Sequence, residues 1–124
     1  MIKNKFGLLL LLLIGLSMAA CDYLYDYTYQ VTNDSDADIT IELKSFQIDS
    51  IYIIPVNETR VLFITDHGVE GAKGPYFEDV TMDLDEFIVV KDGTLTSSRN
   101  YLDNSSWDYA DGLYSTTINN EEFK

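Results

Sequence analysis

The chain has 124 residues, with 8 Lys+Arg against 21 Asp+Glu and a formal net charge of −13. A surface this acidic repels phosphate backbones, which excludes nucleic acid as a partner. With 46% hydrophobic and 13% aromatic residues, the sequence is too apolar for a disordered chain. We therefore expect a folded domain whose charge suits a basic protein partner, a divalent cation or solubility alone.

The first twenty residues have the order of a secretory signal peptide. Lys3 and Lys5 form a short positive region, and an apolar run from Phe6 to Leu16 follows. The run is short of the roughly 20 residues that span a membrane, although an uncleaved anchor is the alternative. We predict a cleaved signal at 1–20 and one mature domain at 21–124, with 6 Lys+Arg, 21 Asp+Glu and a net charge of −15.

The only cysteine, Cys21, directly follows Ala19 and Ala20. The segment LSMAAC resembles the lipobox of bacterial lipoproteins, with Met18 where leucine is usual. The resemblance implies cleavage before Cys21, diacylglycerol on its sulfur and an acyl chain such as palmitate on its amino group. A single cysteine cannot form a disulfide within an exported fold, and lipid attachment accounts for it. Several acyl chains would hold the domain on a membrane stably.

Strict alternation predicts two strands at the start of the mature domain, residues 23–32 and 38–44. A turn-forming cluster, residues 33–37, lies between them and predicts a β-hairpin. Tyrosines at 23, 25, 27 and 29 share one strand face, which predicts that Tyr27 and Tyr29 pack in the core. For Tyr23 and Tyr25 three alternatives stay open: core packing, which is favoured, a membrane interface and a platform for carbohydrate stacking.

Further strands are predicted at 46–54, 59–65, 85–91, 94–98 and 113–119. Residues 51–54 and 61–64 are apolar on both sides, which predicts central or doubly covered strands. Asp92-Gly93 indicates a tight hairpin turn, and residues 100–112 an ordered loop packed by aromatic side chains. About seven short strands without an amphipathic helix predict an all-β fold, a single antiparallel β-sandwich, with a small closed β-barrel as the alternative.

The longest irregular segment is predicted at residues 66–78, which contain three glycines before a proline. Its glycine spacing does not match a dinucleotide or phosphate loop. If the domain contacts a partner, this loop is the candidate. The candidate residues are His67, Gly68, Glu70, Gly71, Gly74 and Tyr76.

No arrangement of residues indicates catalysis, a cofactor or structural zinc. His67 is the only histidine, no serine lies in a recognisable nucleophile motif, and a surface-loop position is favoured for the imidazole. Carboxylate pairs such as Glu78 with Asp79, or Asp83 with Asp85, are too common in an acidic chain to indicate acid–base chemistry.

Calcium has weak candidates in the cluster that follows the first strand. Asp34, Asp36 and Asp38 match the start of an EF-hand loop, but Ile39 stands where glycine is needed and Ser45 where a bidentate glutamate belongs. Solvation of a turn by these carboxylates is the favoured interpretation.

Segments along the whole mature chain resemble small lipoproteins of Bacteroidota. They are YDYTYQVTNDSDADITIEL, QIDSIYIIPVNETRVLF, DEFIVVKDG and YSTTINNEEFK. The resemblance implies a compact β-sandwich, immunoglobulin-like or transthyretin-like, with no assigned activity. Asp49-Ser50-Ile51 also resembles the O-glycosylation sequon of that phylum, which makes Ser50 a candidate for glycosylation, with a plain strand segment as the alternative.

Together these features predict a non-enzymatic, lipid-anchored protein of the cell envelope that binds a partner or has a structural role. The outer membrane is the expected location, with the periplasmic and surface faces both open. The alternative is an acidic inhibitor or sequestering protein for a basic target such as lysozyme or a cationic peptide.

Overall fold

A computed structural model describes residues 23–69 and 74–124. Within them, eight strands form two four-stranded sheets that are not closed into a barrel, which confirms the predicted all-β sandwich. Cys21 and the signal segment lie outside the described residues. None of the helices in the described ranges has the length and apolar character to cross a membrane.

The strands follow the chain from one sheet to the other. They are β1 (Tyr23–Asp34), β2 (Ile39–Ser45), β3 (Asp49–Ile54), β4 (Thr59–Val69), β5 (Leu84–Lys91), β6 (Leu95–Thr96), β7 (Asp108–Ala110) and β8 (Leu113–Asn119). Short 3-10 helices cover Val80–Met82, Asn104–Ser106 and Asn120–Phe123. One sheet has the order β4-β1-β8-β7 and the other β3-β2-β5-β6. Neighbouring strands are antiparallel except β1 and β8, which are parallel.

The tyrosine face of β1 forms the centre of the core. Tyr27 and Tyr29 are fully buried, which confirms their predicted position. The Tyr29 ring stacks between Phe63 and Tyr114, with centroids 4.6 and 4.8 Å away, and meets the edge of Trp107 at 5.4 Å. Burying a large apolar side chain contributes about 1.5–3 kcal/mol, so this aromatic stack stabilises the sheet that contains β1, β4 and β8, and Phe87 of the other sheet meets Trp107 edge-on at 5.3 Å.

The predicted hairpin between the first two strands is wrong. β1 and β2 belong to different sheets, and the connection between them crosses the sandwich. Asn33 directs the crossing: its buried amide donates to the carbonyls of Ala37 and Ile54, both at 2.9 Å. The same side chain accepts from the Ser35 hydroxyl at 2.6 Å. A buried polar side chain needs hydrogen-bond partners. Asn33 finds them in the Ala37 and Ile54 carbonyls because the chain leaves the first sheet after β1.

The prediction of covered or central strands at β3 and β4 is also wrong. Each strand is an edge of its sheet among the described strands. Ile54 and Phe63 point into the core, whereas Ile51, Ile53 and Ile64 are exposed on the opposite faces. An apolar run in the sequence indicates that one face of the strand is buried, but it does not show that the other face is covered.

The second half of the chain follows prediction at one turn and departs from it at another. Asp92-Gly93 joins β5 to β6 as predicted, with φ of 52° and 69°. The predicted loop at 100–112 contains β7, which pairs with β8 across a second turn, Asp111-Gly112. Both Asp-Gly turns place two residues at positive φ, the geometry of tight hairpin turns.

Candidate functional site

His67 lies on a strand and its side chain is buried, so the prediction of a surface-loop histidine is wrong. β4 continues to Val69, and His67 pairs with Tyr25 of β1. Only 9% of the His67 side chain is exposed. The face that holds Phe63 and Thr65 therefore extends two residues further than the apolar pattern indicates.

The imidazole of His67 lies between two carboxylates. Nε2 is 2.5 Å from Oδ1 of Asp83, and Nδ1 is 2.5 Å from Oε2 of Glu78. The Nδ1 contact lacks hydrogen-bond alignment, and both its atoms are buried without another hydrogen-bond partner. The Tyr27 ring stacks on the imidazole at 4.2 Å between centroids.

Asp83 connects this histidine to the core. Its side chain is 7% exposed, and its second oxygen accepts a 2.6 Å hydrogen bond from the Tyr29 hydroxyl. Burial, followed by this hydrogen bond to a carboxylate, raises the pKa of Tyr29. Asp83 follows the 3-10 helix Val80–Met82, which begins at Asp79, where the side chain accepts from the Thr81 backbone. The Thr81 hydroxyl and N–H hold the pKa of Asp79 below its usual value.

Both nitrogens of His67 are occupied by contacts with carboxylate oxygens. Glu78 and Asp83 lie on opposite sides of the ring, and the described residues contain no group of three or more side chains that could hold a metal ion. The buried cluster therefore fixes β4, the segment before the 3-10 helix and the start of β5 to one another.

A pocket of about 220 Å³ opens beside the cluster. His67, Asp83 and Phe63 contribute to its inner part, and the turn between β2 and β3 forms one wall. Three of its lining residues are exposed and apolar, of which Phe46 is 86% exposed; the others are Ile64 and Met82. The full lining is Ser45, Phe46, Gln47, Ile48, Phe63, Ile64, Thr65, Asp66, His67, Met82 and Asp83.

Acidic residues outnumber basic ones in the lining of the pocket. Asp66 and Asp83 line it together with His67, and none of its lining residues, all within the described ranges, is a lysine or an arginine. Asp26 lies directly opposite Asp66 in the β1–β4 register. A hydrogen bond between these two carboxyls, together with their mutual repulsion, raises the pKa of Asp26. A cation that enters the pocket or approaches its rim is therefore favoured over an anion.

The residues of the predicted contact loop separate in the structure. His67 and Gly68 belong to β4, and Glu70 and Gly71 lie outside the described residues. Gly74 packs against the Tyr25 ring so closely that a Cβ would lie 2.5 Å from Cε2. Tyr76 remains about half exposed.

The three calcium candidates face different partners. Asp36 accepts from the Lys91 ammonium at 2.9 Å, and this ion pair lowers the pKa of its carboxyl. Asp38 accepts from the Val56 backbone at 3.3 Å, and Asp34 is exposed. Ser50 is half-buried on β3, opposite Leu43 of β2, and its glycosylation stays a prediction.

Glu78 and Asp83 are site residues that the sequence presents only as members of common carboxylate pairs. Both stand among many other acidic residues, and only the fold distinguishes them from solvated carboxylates. One feature of the sequence indicates the position of Asp83. It lies between the apolar Val80 and an alternating strand, where a residue can be buried with its neighbours.

The chain matches no protein-family model, and comparison with curated proteins and with solved structures gives no significant match. The sequence and the geometry of the pocket therefore carry the functional conclusion.

Proposed function

We propose that this chain is a non-enzymatic, lipid-anchored binding protein of the bacterial cell envelope, at the outer membrane. Its pocket beside His67 holds a positively charged group that is carried on an apolar stem. The observation that carries the proposal is the combination of acidic residues and exposed apolar residues in the lining of the pocket. A lysine-like or alkylammonium group matches both parts, because its carbon stem packs on the apolar residues while its charge meets carboxylates.

The lipid anchor in this proposal is supported by the sequence that ends at Cys21. Replacement Cys21→Ser removes the acceptor sulfur. The processed variant is then expected in the soluble fraction, whereas the wild-type protein carries lipid mass at its amino terminus. A variant that remains membrane-bound would place the attachment elsewhere in the chain.

The binding role is tested with a pair of matched variants. Ile64 and Ile53 both lie on edge strands and are 59% and 60% exposed, but only Ile64 lines the pocket. We expect Ile64→Ser to weaken binding of hexylammonium, measured by calorimetry on residues 22–124, and Ile53→Ser to leave it unchanged. Hexanol, which has the same stem without the charge, is expected to bind more weakly than hexylammonium. Equal affinities of the two variants for hexylammonium would show that the pocket is not the binding site.

A second candidate is an acidic inhibitor or sequestering protein for a basic target, favoured by the mature net charge of −15. An excess of negative charge accelerates the encounter with a cationic protein and makes it sensitive to salt. Lysozyme activity measured with and without the domain, at two ionic strengths, tests this candidate. Inhibition that weakens at the higher salt concentration would support it, and unchanged lysozyme activity would reject it.

A further inference from the structure

The end of the sandwich at which β1 begins carries three exposed aromatic or apolar side chains. They are Tyr23 and Leu24, which lie on opposite faces of the strand, and Tyr76; the most exposed of them is Leu24, at 74%. We refer to these three residues as the strand-end patch. Phe77, the residue after Tyr76, is also exposed and meets the Tyr109 ring edge-on at 5.5 Å.

The strand-end patch is held by a defined framework. β8 pairs with β1 only from Thr28 onward, so among the described strands residues 23–27 pair with β4 alone and project beyond the sheet. Three hydrogen bonds join residues 74–76 to this projection, one of them donated by the Tyr76 N–H to the Tyr27 hydroxyl at 3.2 Å. The Gly74 N–H donates to the Tyr25 hydroxyl at 3.1 Å, and the Tyr27 hydroxyl donates to the Tyr76 carbonyl at 2.8 Å.

The same end of the molecule leads to the cysteine. Tyr23 is two residues from Cys21, and an extended chain covers at most about 3.6 Å per residue. The Cα of Tyr23 therefore lies within about 7 Å of the Cα of Cys21. The headgroup layer on one side of a bilayer is about 5–7 Å thick, so a lipidated Cys21 leaves the strand-end patch no room to stand clear of the membrane.

We propose that the strand-end patch is a lipid-contacting surface that seats the domain against the bilayer. This inference rests on the lipid anchor of the proposed function. Tyrosine is suited to the headgroup region, since its ring packs on apolar chains while its hydroxyl stays hydrated. Asp26 lies two residues after Leu24 on the same face of β1, and it pairs with Asp66 of β4. Their exposed carboxylates must stay in water, so only a shallow contact with the membrane is possible.

The seating determines where the pocket opens. Ile64 pairs with Thr28, five residues along β1 from Tyr23. At about 3.3 Å per residue, the pocket rim lies on the order of 17 Å from the seated end. An amphipathic cation that concentrates at an acyl-chain surface would thus meet the pocket close to the membrane.

The test uses the full lipidated chain, which has no cysteine other than Cys21. Tyr76→Cys supplies a thiol at the strand-end patch, and Val56→Cys supplies a matched thiol in the turn between β3 and β4, at the opposite end. Each is labelled with an environment-sensitive maleimide dye in phosphatidylcholine vesicles that contain a nitroxide-labelled lipid. We expect a blue shift and several-fold stronger quenching at position 76 than at position 56. Adding Leu24→Ser to the Tyr76→Cys chain is expected to reduce that quenching.

The outcomes separate the patch from the anchor. Intact mass reports lipid on Cys21 independently of the dye, and a Cys21 without lipid would take up a second dye and overturn the anchor together with the seating. Lipidated, vesicle-bound protein with equal quenching at both positions would overturn the seating and leave the anchor in place. A blue shift at position 76 without lipid quenching would assign the patch to a protein contact and overturn the seating as well.

Discussion

Tyr29 illustrates how one side chain serves both packing and polar satisfaction. Its ring lies between Phe63 and Tyr114, and its hydroxyl donates to the buried carboxylate of Asp83. Asp83 in turn contacts His67 at the inner side of the pocket. The Tyr29 hydroxyl is therefore linked to the pocket through the carboxylate of Asp83.

We predict that Tyr29→Phe lowers the free energy of unfolding by about 1–3 kcal/mol, because it leaves a buried carboxylate without one of its donors. Tyr52→Phe is the matched control, since the Tyr52 hydroxyl donates to the neutral carbonyl of Leu62 at 2.9 Å. That control is expected to lose about 1 kcal/mol or less. Urea unfolding measures both variants, and equal losses would contradict the importance of the Asp83 bond.

Alkaline pH is expected to destabilise the fold through its buried tyrosines. Burial raises the pKa of Tyr114 to about 12, and it raises the pKa values of Tyr27, Tyr29 and Tyr101 as well. An unfolded tyrosine ionises near pH 10, so between about pH 10 and 12 the unfolded chain releases protons that the folded chain keeps. The free energy of unfolding should therefore fall as the pH rises through that range.

Unfolding measured at several pH values from about 9 to 12 tests this prediction. Tyr114→Phe removes one of the titrating groups, so its stability should decline less steeply with pH than that of the wild-type protein. A wild-type stability that stays constant across this range would contradict the prediction.

At the residue scale, the sequence predicts burial well but polar partners poorly. The period of two in β1 correctly placed Tyr27 and Tyr29 in the core. The same period continues through Thr65 to His67, but these residues are polar, so the strand resembled a loop. A buried histidine with two carboxylate neighbours is recognisable only when strands distant in sequence are placed side by side.

At the element scale, two Asp-Gly turns differ in what surrounds them. Gly112 has φ of 83°, and a Cβ there would lie 2.8 Å from the Asp26 carbonyl oxygen. Gly93 has φ of 69°, and nothing lies within 4 Å of the corresponding position. The first turn is packed against β1, whereas the second projects into solvent.

Alanine substitution at the two glycines should separate backbone strain from steric overlap. Gly93→Ala is expected to reduce the free energy of unfolding by about 1–2 kcal/mol, the cost of a left-handed conformation for a side chain with a Cβ. Gly112→Ala should cost clearly more, because the β7–β8 hairpin must also move away from β1. Thermal or urea unfolding provides the comparison. Similar losses of stability in both variants would contradict the prediction and show that the hairpin can move away from β1 at little cost.

Connections between elements were the least predictable part of the fold. A turn cluster between two alternating strands normally indicates a hairpin, and Asp92-Gly93 forms one. The cluster after β1 instead crosses between sheets, because Asn33 bonds to the Ala37 and Ile54 carbonyls. The Ile54 carbonyl lies 21 residues away, beyond the range of any local pattern.

At the scale of the whole molecule, charge and exposed apolar side chains are arranged unevenly. The aromatic and apolar strand-end patch lies where the chain leads to Cys21, and the pocket lies further along β4. Acidic residues are scattered over the remaining sequence. The proposed anchor, the proposed seating and the pocket thus follow one another along the β1–β4 ribbon.

The measurement that tests the central claim most directly is a nuclear magnetic resonance titration of residues 22–124 with hexylammonium. The account predicts saturable shifts confined to the pocket, at Ile64, Asp66 and Met82, and weaker shifts with hexanol at the same concentrations. Raising the salt concentration should reduce the effect of hexylammonium but not that of hexanol. Shifts spread over the surface, or equal responses to the two compounds, would contradict a binding pocket for apolar cations.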